Sequence, residues 1–395
     1  MKRLALLLCA CLLLLVGCAR PTEETPGTEP GTALPAVRPA PTVDETDYAA
    51  LLTARFADLP AADETDFIFE TADGGAKITA YRGAGGNVRV PGTLGGLPVT
   101  AVGDGAFAGR DDLQTLVLPE TVTSFGTGIL EGTALTALRT PFPPGDDAFL
   151  GLLWGAETYL DNARPILRGL QYLELRATGA FALPDHALYD CAGLLAVRLP
   201  AGATVGDDAF AGCADLRWIN AGEIAAVGER AFDGCEALQT LAFGPSLTRI
   251  GFAALRDCGG LLELSLPFIG EAPGENAFLG YLFGAKTPAL ASGFYPPFLQ
   301  TVALTEGAAV LPDFALFECR SLRRVVLPAS LTAIGACAMR GCVALEELSV
   351  PAGCAAVGDE ACAGCAALGN VTLPDGIAVG VNAFLGTPYA AKKAE

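Results

Sequence analysis

"LPASLTAIGACAMRGCVALEELSV", residues 327–350, leads directly into "VPAGCAAVGDEACAGCAALGNVTL", residues 350–373, and the two stretches share one pattern. Each carries a proline at its second position, and Pro328, Pro351 and Pro374 recur at a constant step. The common unit reads L-x-x-L-x-L-P, a short spacer, a hydrophobic residue with glycine, and then A-F-x-G-C. Because a unit this short cannot bury its own apolar face, neighbouring units must stack into a solenoid.

The cysteines show that this period continues towards the N-terminus. Cys319, Cys342 and Cys365 keep the same step as the prolines. The earlier cysteines follow one another at that step or at one position less, at Cys191, Cys213, Cys235 and Cys258. We therefore predict a repeat solenoid of the α/β class, built from 22–23-residue units with a parallel β-sheet on its concave face and two expanded units.

Cys362 and Cys365 have the C-x-x-C spacing that is also found in redox and metal sites. Cys365, however, occupies a turn position that holds Arg110 in another unit, and a metal-ligand position would not accept arginine. Cys362 occupies the position of Phe210, where a small hydrophobic residue fits the core. We interpret both as structural and expect no metal site and no cofactor. Distance alone leaves a disulfide between stacked cysteines open.

The two expanded units span residues 141–191 and 267–319. They share Pro-Phe, Ala-Phe-Leu-Gly, Gly-Ala and Leu-Pro-Asp in the same order. Ala-Phe-Leu-Gly after acidic residues suggests a short helix on the convex side, carrying Trp154 in one copy and Tyr281 and Phe283 in the other. We expect this helix to pack on the stack, and exposed aromatics that bind a ligand are the alternative.

Alternate residues of each repeated strand are predicted to point outward from the sheet. The first outward row is Asn87, Thr115, Ala137, Tyr172, Ala196, Trp218, Thr240, Glu263, Thr301, Arg324, Glu347 and Asn370. The second is Arg89, Val117, Arg139, Glu174, Arg198, Asn220, Ala242, Ser265, Ala303, Val326, Ser349 and Thr372.

Five residues on or beside these rows stand out against an acidic chain, namely Arg139, Tyr172, Arg198, Arg217 and Trp218. Aromatic side chains and arginine are the types that anchor interfaces. We predict a ligand-binding site on the concave face, a water-facing slot between the two rings with Ala196 as its floor. Scattered surface decoration is the alternative.

The N-terminus has the pattern of an export signal. Lys2 and Arg3 precede an apolar run over residues 4–16 that is too short to span a bilayer comfortably. Leu-Val-Gly-Cys, residues 15–18, resembles the lipobox of bacterial lipoproteins, which implies cleavage before Cys18 and lipidation of its sulfur. An ordinary secretory signal with a chance cysteine is the alternative. The predicted divisions are a lipoprotein signal peptide (1–17), a disordered tether rich in Pro, Thr and Glu (18–43), a capping helix (44–66), the repeat domain (67–389) and a tail (390–395).

The residue inventory argues against catalysis and against nucleic acid. His186 is the one histidine, and Phe314 takes its place in the other expanded unit, so the position favours a ring over a base. Neither G-x-S-x-G nor H-E-x-x-H occurs, and we predict no catalytic residues. A formal net charge of −19 repels nucleic acid and anionic membranes.

The proline-closed strands and A-F-x-G-C turns resemble the leucine-rich repeats of the BspA-like bacterial surface family. The stretch "DFIFETADGGAKITAYRGAGGNVRVPGTLGGLPVTAVGDGAFAG", residues 66–109, resembles that family's first hairpin and first turn. Arg110 in a turn and "GEIAAVGER", residues 222–230, without its proline, depart from the pattern.

The resemblance implies a leucine-rich repeat stack that is lipid-anchored outside the cytoplasm, is not an enzyme and binds other molecules at the cell surface. Adhesion to a protein of a host or of a neighbouring cell is the function that it favours. An envelope glycan as the ligand, or a structural spacer without a ligand, are the alternatives, and the lipid anchor is the expected link to the membrane.

Overall fold

The computed structural model describes residues 41–163 and 169–394. The predicted signal peptide, the lipidation site Cys18 and the tether up to Ala40 lie outside the described residues. Within the described ranges, no helix combines the length and apolar character needed to cross a membrane.

The body is built mainly from short strands. The α-helices are α1 (Tyr48–Phe56) and α2 (Pro388–Ala394). The strands, in chain order from β1 to β25, are Phe67–Ala72, Gly75–Tyr81, Gly86–Arg89, Thr93–Leu94, Leu97–Val102, Leu113–Val117, Ser124–Phe125, Ala137–Pro141, Tyr172–Arg176, Ala182–Leu183, Ala196–Arg198, Thr204–Val205, Trp218–Ile219, Ala226–Val227, Thr240–Ala242, Arg249–Ile250, Glu263–Leu266, Thr301–Leu304, Val310–Leu311, Arg324–Val326, Ala333–Ile334, Glu347–Ser349, Ala356–Val357, Asn370–Thr372 and Ala378–Val379. Short 3₁₀ helices lie at Glu64–Asp66, Leu150–Trp154, Tyr159–Ala163, Ala221–Glu223, Leu279–Phe283 and Pro288–Gly293.

The strands form two parallel layers, which we call the front and the back. The front consists of two six-stranded sheets, in the order β3-β6-β8-β9-β11-β13 and β15-β17-β18-β20-β22-β24. The back consists of β2-β5-β7, β10-β12-β14-β16 and β19-β21-β23-β25. This arrangement confirms the predicted solenoid with its parallel sheet.

The register of the front strands confirms the first row within each sheet, and the second row from Arg89 to Arg198 and from Ala242 to Val326. Tyr172 pairs with Ala137 on one side and with Ala196 on the other, and Ala196 pairs with Trp218. Between outward residues, leucine and other aliphatic side chains point into the stack, where Leu173 and its equivalents are buried. The outward face of the two front sheets is called the front face from here on.

The front layer is interrupted between β13 and β15, at the unit that lacks its proline. Asn220 directly follows β13, and its side chain forms two 2.9 Å hydrogen bonds with the backbone N–H and carbonyl of Leu199. The chain then turns through the 3₁₀ helix Ala221–Glu223 and does not pair with the next front strand. The predicted single sheet is therefore two sheets.

The A-F-x-G-C turn places two side chains in the core. Phe210 and Phe232 of neighbouring turns stack with ring centroids 5.2 Å apart, and Cys362 occupies the same position, fully buried. The cysteine of the turn is equally buried, and its thiol donates to the carbonyl of the preceding turn, as in Cys213 Sγ to Leu188 O at 3.2 Å. Among the described residues, no group of three or more His, Cys, Asp or Glu side chains is placed to hold a metal ion.

The helices of the expanded units are 3₁₀ helices that pack on the stack. Trp154 is buried, and its Nε1 donates to Thr133 Oγ1 at 3.2 Å. Phe283 is buried, and half-buried Tyr281 donates its hydroxyl to Glu271 Oε2 at 2.9 Å. None of these three aromatic side chains is exposed for a ligand.

The two ends differ from the expected division of the chain. The antiparallel hairpin of β1 and β2 covers the first turn, whereas α1 lies across the front face. On the front face, Leu52 and Phe56 of α1 find an apolar surface made by Val117, Ala137, Tyr172 and Ala196. At the other end α2 begins before residue 390 and extends into the predicted tail as far as Ala394, and the ring centroid of Tyr389 lies 5.1 Å from that of Phe384.

Candidate binding site on the front face

α1 is a short amphipathic helix with a defined start. The side chain of Asp47 caps it by accepting a 2.9 Å hydrogen bond from the Ala50 N–H. Leu52 and Phe56 are four residues apart and therefore lie on one face of the helix, where both are buried. Leu51 points the other way and is 40% exposed.

The buried face of α1 rests on small and apolar outward residues of the first front sheet. Leu52 and Phe56 form one cluster with Val117, Ala137, Tyr172 and Ala196, and Trp218 packs against its side. Ala137 and Ala196 have short side chains, which lets the helix approach the sheet closely.

The water-facing slot between Tyr172 and Trp218 is therefore closed by the chain itself. Tyr172 is only 5% exposed and Ala196 is fully buried. The expectation that both rings face water is wrong for Tyr172, because α1 covers it, while Trp218 remains partly exposed.

Two of the predicted arginines lie against α1. The guanidinium of Arg139 is 4.6 Å from the ring centroid of Phe56. Arg198 donates to Thr53 Oγ1 at 3.0 Å and to the carbonyl of Ala49 at 3.4 Å. Arginine over an aromatic face and arginine to a backbone carbonyl are both favourable, so the sheet holds the helix by polar as well as apolar contacts.

Glu174 is a buried carboxylate beneath these arginines, and the sequence analysis did not single it out. Its Oε2 lies 2.9 Å from Arg139 Nη2 and 3.7 Å from Arg198 Nη1, and its Oε1 lies 3.4 Å from Arg176 Nη1. A buried charge is tolerated only when it is paired. Its outward position in the second row, between two arginines on neighbouring strands, was the available indication.

The third predicted arginine binds the segment that precedes α1. Arg217 Nη1 lies 2.9 Å from Asp44 Oδ2, which also accepts a 2.8 Å hydrogen bond from the hydroxyl of Tyr48. Hydrogen bonds from Thr46 and Tyr48, with a contribution from Arg217, lower the pKa of Asp44 from 3.8 to about 2. The carboxylate is therefore ionised at neutral pH.

All five predicted site residues thus lie in one patch. Arg139, Tyr172 and Arg198 contact α1, Arg217 contacts Asp44 ahead of it, and Trp218 packs against the cluster that α1 forms with the sheet. The contributions of Asp44, Leu52 and Phe56 to this patch were not predicted from the sequence. Beyond the interruption of the front layer, Arg324, Glu347 and Asn370 are exposed in the part of the chain that the structure describes, and they line a shallow depression.

The remaining reactive side chains have structural surroundings. Burial raises the pKa of Cys191, Cys213 and Cys235, so these three thiols stay protonated. His186 stacks on Tyr159 at 4.2 Å and has φ 59°, the same left-handed turn conformation as Phe314 with φ 58°.

Comparison with solved structures identifies other bacterial repeat proteins. A leucine-rich repeat protein from Bacteroides ovatus is 18% identical over 83% of this chain and 92% of its own, with a TM-score of 0.43. A leucine-rich cell surface protein from Faecalibacterium prausnitzii is 21% identical over 84% of this chain and 94% of its own, with a TM-score of 0.33. The pneumococcal vaccine antigen PcpA is 16% identical over 83% of this chain and 88% of its own, with a TM-score of 0.29.

No curated protein matches the sequence. The family model for the BspA-type leucine-rich repeat region matches in six copies, over residues 96–143, 182–281 and 291–391, which is more than half of the chain. These residues include the front strands from β6 to β24 except β9, and the turns described above. The chain belongs to the BspA-type leucine-rich repeat family of bacterial cell-surface proteins.

Proposed function

We propose that this chain is a lipid-anchored adhesion protein that binds another protein through its front face and has no catalytic activity of its own. The observation that carries the proposal is the patch of Arg139, Tyr172, Arg198, Arg217 and Trp218. Two aromatic and three basic side chains lie together in this patch, although the net charge of the whole chain is −19. Such a patch fits an extracellular protein of a host or of a neighbouring cell as the partner.

The contacts of the patch support a polypeptide over a glycan. It already holds Leu52 and Phe56 in an apolar cluster and the carbonyl of Ala49 through Arg198. A peptide supplies both kinds of group. A glycan of the cell envelope is the second candidate, because the half-exposed ring of Trp218 could stack on a sugar.

A binding comparison separates these candidates. The full chain is tested against an array of glycans and a panel of extracellular matrix proteins, with Trp218→Ala and, as the matched control, Asn370→Ala at the far end of the same outward row. We expect a protein ligand whose affinity falls at least tenfold, about 1.4 kcal/mol, for Trp218→Ala and stays unchanged for Asn370→Ala. Binding confined to glycans would favour the second candidate, and no ligand in either assay would favour a spacer.

The lipid anchor has its own test. Metabolic labelling with a palmitate analogue should mark the wild type and leave Cys18→Ala unlabelled, because the thioether needs that sulfur. Cys9→Ala serves as the control, since this cysteine lies within the predicted signal. Equal labelling of Cys18→Ala and the wild type would remove the lipoprotein assignment.

A further inference from the structure

α1 is attached to a solenoid that is complete without it. Its cluster with Val117, Ala137, Tyr172 and Ala196 is separate from the main core, which lies on the inward side of the same strands. The inward residues Leu116, Leu138 and Leu173 belong to that main core and are buried by the stacked turns. Removing α1 would therefore uncover the front face without opening the core.

The helix is too short to persist alone. α1 has nine residues, and isolated helices shorter than about 12–15 residues are marginal in water. Its helical state and its docking therefore depend on each other, and undocking is an all-or-none change of this segment.

One contact of the docked state is imperfect. The Nε atom of Arg139 is buried next to Phe56 and has no hydrogen-bond partner within the described residues. A buried donor without a partner destabilises the state that contains it. A different occupant with an acceptor at this point would relieve that cost.

The patch selects three features of its occupant. Arg217 binds a carboxylate ahead of the first turn, which here is Asp44. The apolar floor binds two large side chains four residues apart, which here are Leu52 and Phe56. Arg198 donates a hydrogen bond to a backbone carbonyl that precedes these two side chains, which here is that of Ala49. Together these describe an amphipathic helix with an acidic residue at its start.

We propose that α1 is an intramolecular occupant of a helix-binding site, and that the partner protein binds by placing an amphipathic helix of this kind in its place. This rests on the proposed function, since it names the partner's binding element and the regulation of the same site. A tethered segment acts at an effective concentration of about millimolar, so α1 lowers the apparent affinity for any helix added from outside.

The test uses full-length chains and a labelled peptide of residues 44–57, DETDYAALLTARFA. In Leu52→Asp a charge replaces a fully buried side chain, which should expel α1 and free the site. In the matched control Leu51→Asp the same charge enters the neighbouring, exposed position. We expect Leu52→Asp to bind the peptide, measured by fluorescence anisotropy, at least tenfold more tightly than Leu51→Asp or the wild type. A peptide that itself carries Leu52→Asp should not bind.

Hydrogen exchange of the wild type gives a second measurement that does not depend on a variant. The amides of residues 48–56 should exchange faster than those of β9 and β11 beneath them, because α1 undocks while the sheet stays intact. Equal peptide affinities for the two variants, or α1 amides that exchange only when β9 and β11 unfold, would overturn the proposal.

The outcome is distinguishable from that of the proposed function. If Leu52→Asp captures the peptide but no matrix protein binds any variant, the helix site stands and the adhesion proposal fails. If a matrix protein binds the wild type and Leu52→Asp with equal affinity, adhesion stands and displacement of α1 is refuted.

Discussion

Each turn of the solenoid contains a residue with left-handed backbone just before the cysteine position. Most turns have glycine there, such as Gly234 with φ 72°, whereas Asp257 adopts φ 56° at the equivalent point. Glycine reaches this conformation without steric cost, and other residues are disfavoured in it.

Asp257→Gly should therefore raise the free energy of unfolding by about 0.5 kcal/mol, in spite of the greater freedom of glycine in the unfolded chain. The lost contact, Arg256 Nε to Asp257 Oδ2 at 3.7 Å, is exposed and contributes little. The converse change Gly234→Ala should lower stability by about 1 kcal/mol. A Cβ there would touch only Gly212, at 3.7 Å, so the effect is conformational and not steric. Urea denaturation measures both variants, and a neutral or destabilising Asp257→Gly would contradict this explanation.

Several residues at the cysteine position of the turn donate a side-chain hydrogen bond. Cys213 donates to the carbonyl of Leu188, and in other turns Thr133 and Thr387 donate their hydroxyl groups to carbonyls of their own turns. Arg110, which departs from the pattern, still donates to the carbonyl of Tyr81 and to that of Gly83. The sequence pattern showed a variable residue, and the structure shows that cysteine, threonine and arginine at this position can all donate to a nearby carbonyl.

Cys213→Thr and Cys213→Val separate the effect of the hydrogen-bond donor from that of side-chain size, because threonine has a hydroxyl where valine has a methyl group. We expect the valine variant to be less stable than the threonine variant by about 1 kcal/mol in chemical denaturation, since only threonine can still donate. A valine variant as stable as the threonine variant would show that filling of the core, and not the donor, decides the position.

At the scale of elements, the docking of α1 should depend on pH through Asp44. The pKa of this group is about 2 in the folded chain and 3.8 ordinarily. A depressed pKa means that the stabilisation is complete above pH 3.8 and is lost as the pH falls towards about 2. Fluorescence of Trp218, in a Trp154→Phe background, should report undocking within this window.

Asp44→Asn is the control for that titration. It keeps the size of the side chain and removes the charge that Arg217 binds, so docking should be weaker at neutral pH and flatter between pH 3.8 and 2. An identical titration in Asp44→Asn would assign the transition to a group other than Asp44 and contradict this explanation.

The sequence predicted the sheet in more detail than it predicted the helix on it. A strand period of two and a nearly constant repeat length fix which side chains share a row, so the neighbours Tyr172, Ala196 and Trp218 could be predicted. The stripe of Leu52 and Phe56 indicates that one helix face is buried, but not against which surface. Its partners lie far along the chain, as Arg198 does at 145 residues from Thr53, and local patterns carry no information on such distant contacts.

At the scale of the whole molecule, the interruptions of the two layers are offset. The front layer is interrupted between β13 and β15, where the back strands β14 and β16 remain paired. The back layer is interrupted beside the expanded units, where β8 pairs with β9 and β17 pairs with β18 in the front. Each interruption in one layer is therefore bridged by the other, and we expect one cooperative unfolding transition.

Thr248→Pro tests this bridging. The N–H and hydroxyl of Thr248 both bond the carbonyl of Ala225, at 2.8 and 2.9 Å, across the interrupted unit. Proline removes both donors at a cost of about 1–3 kcal/mol and should split the transition into two. Thr332→Pro removes the same pair of bonds, to Ala309, where the front strands β18 and β20 are continuous.

The control Thr332→Pro should lower stability and keep a single transition, as followed by circular dichroism and by Trp fluorescence in urea. Two transitions in both variants, or one in both, would show that the interruption of the front layer has no special effect on the cooperativity of unfolding.

The position of α1 has a consequence for synthesis. The ribosome makes this helix early, yet the contacts of this helix and of the residues before it reach Arg198, Arg217 and Gln239, with separations of up to 197 residues. Docking must wait until the first front sheet has emerged and folded, and closing so long a loop is slow compared with stacking neighbouring turns. The outward face of the first front sheet therefore stays bare until the chain has been made as far as Gln239, and α1 covers it only after these strands have folded.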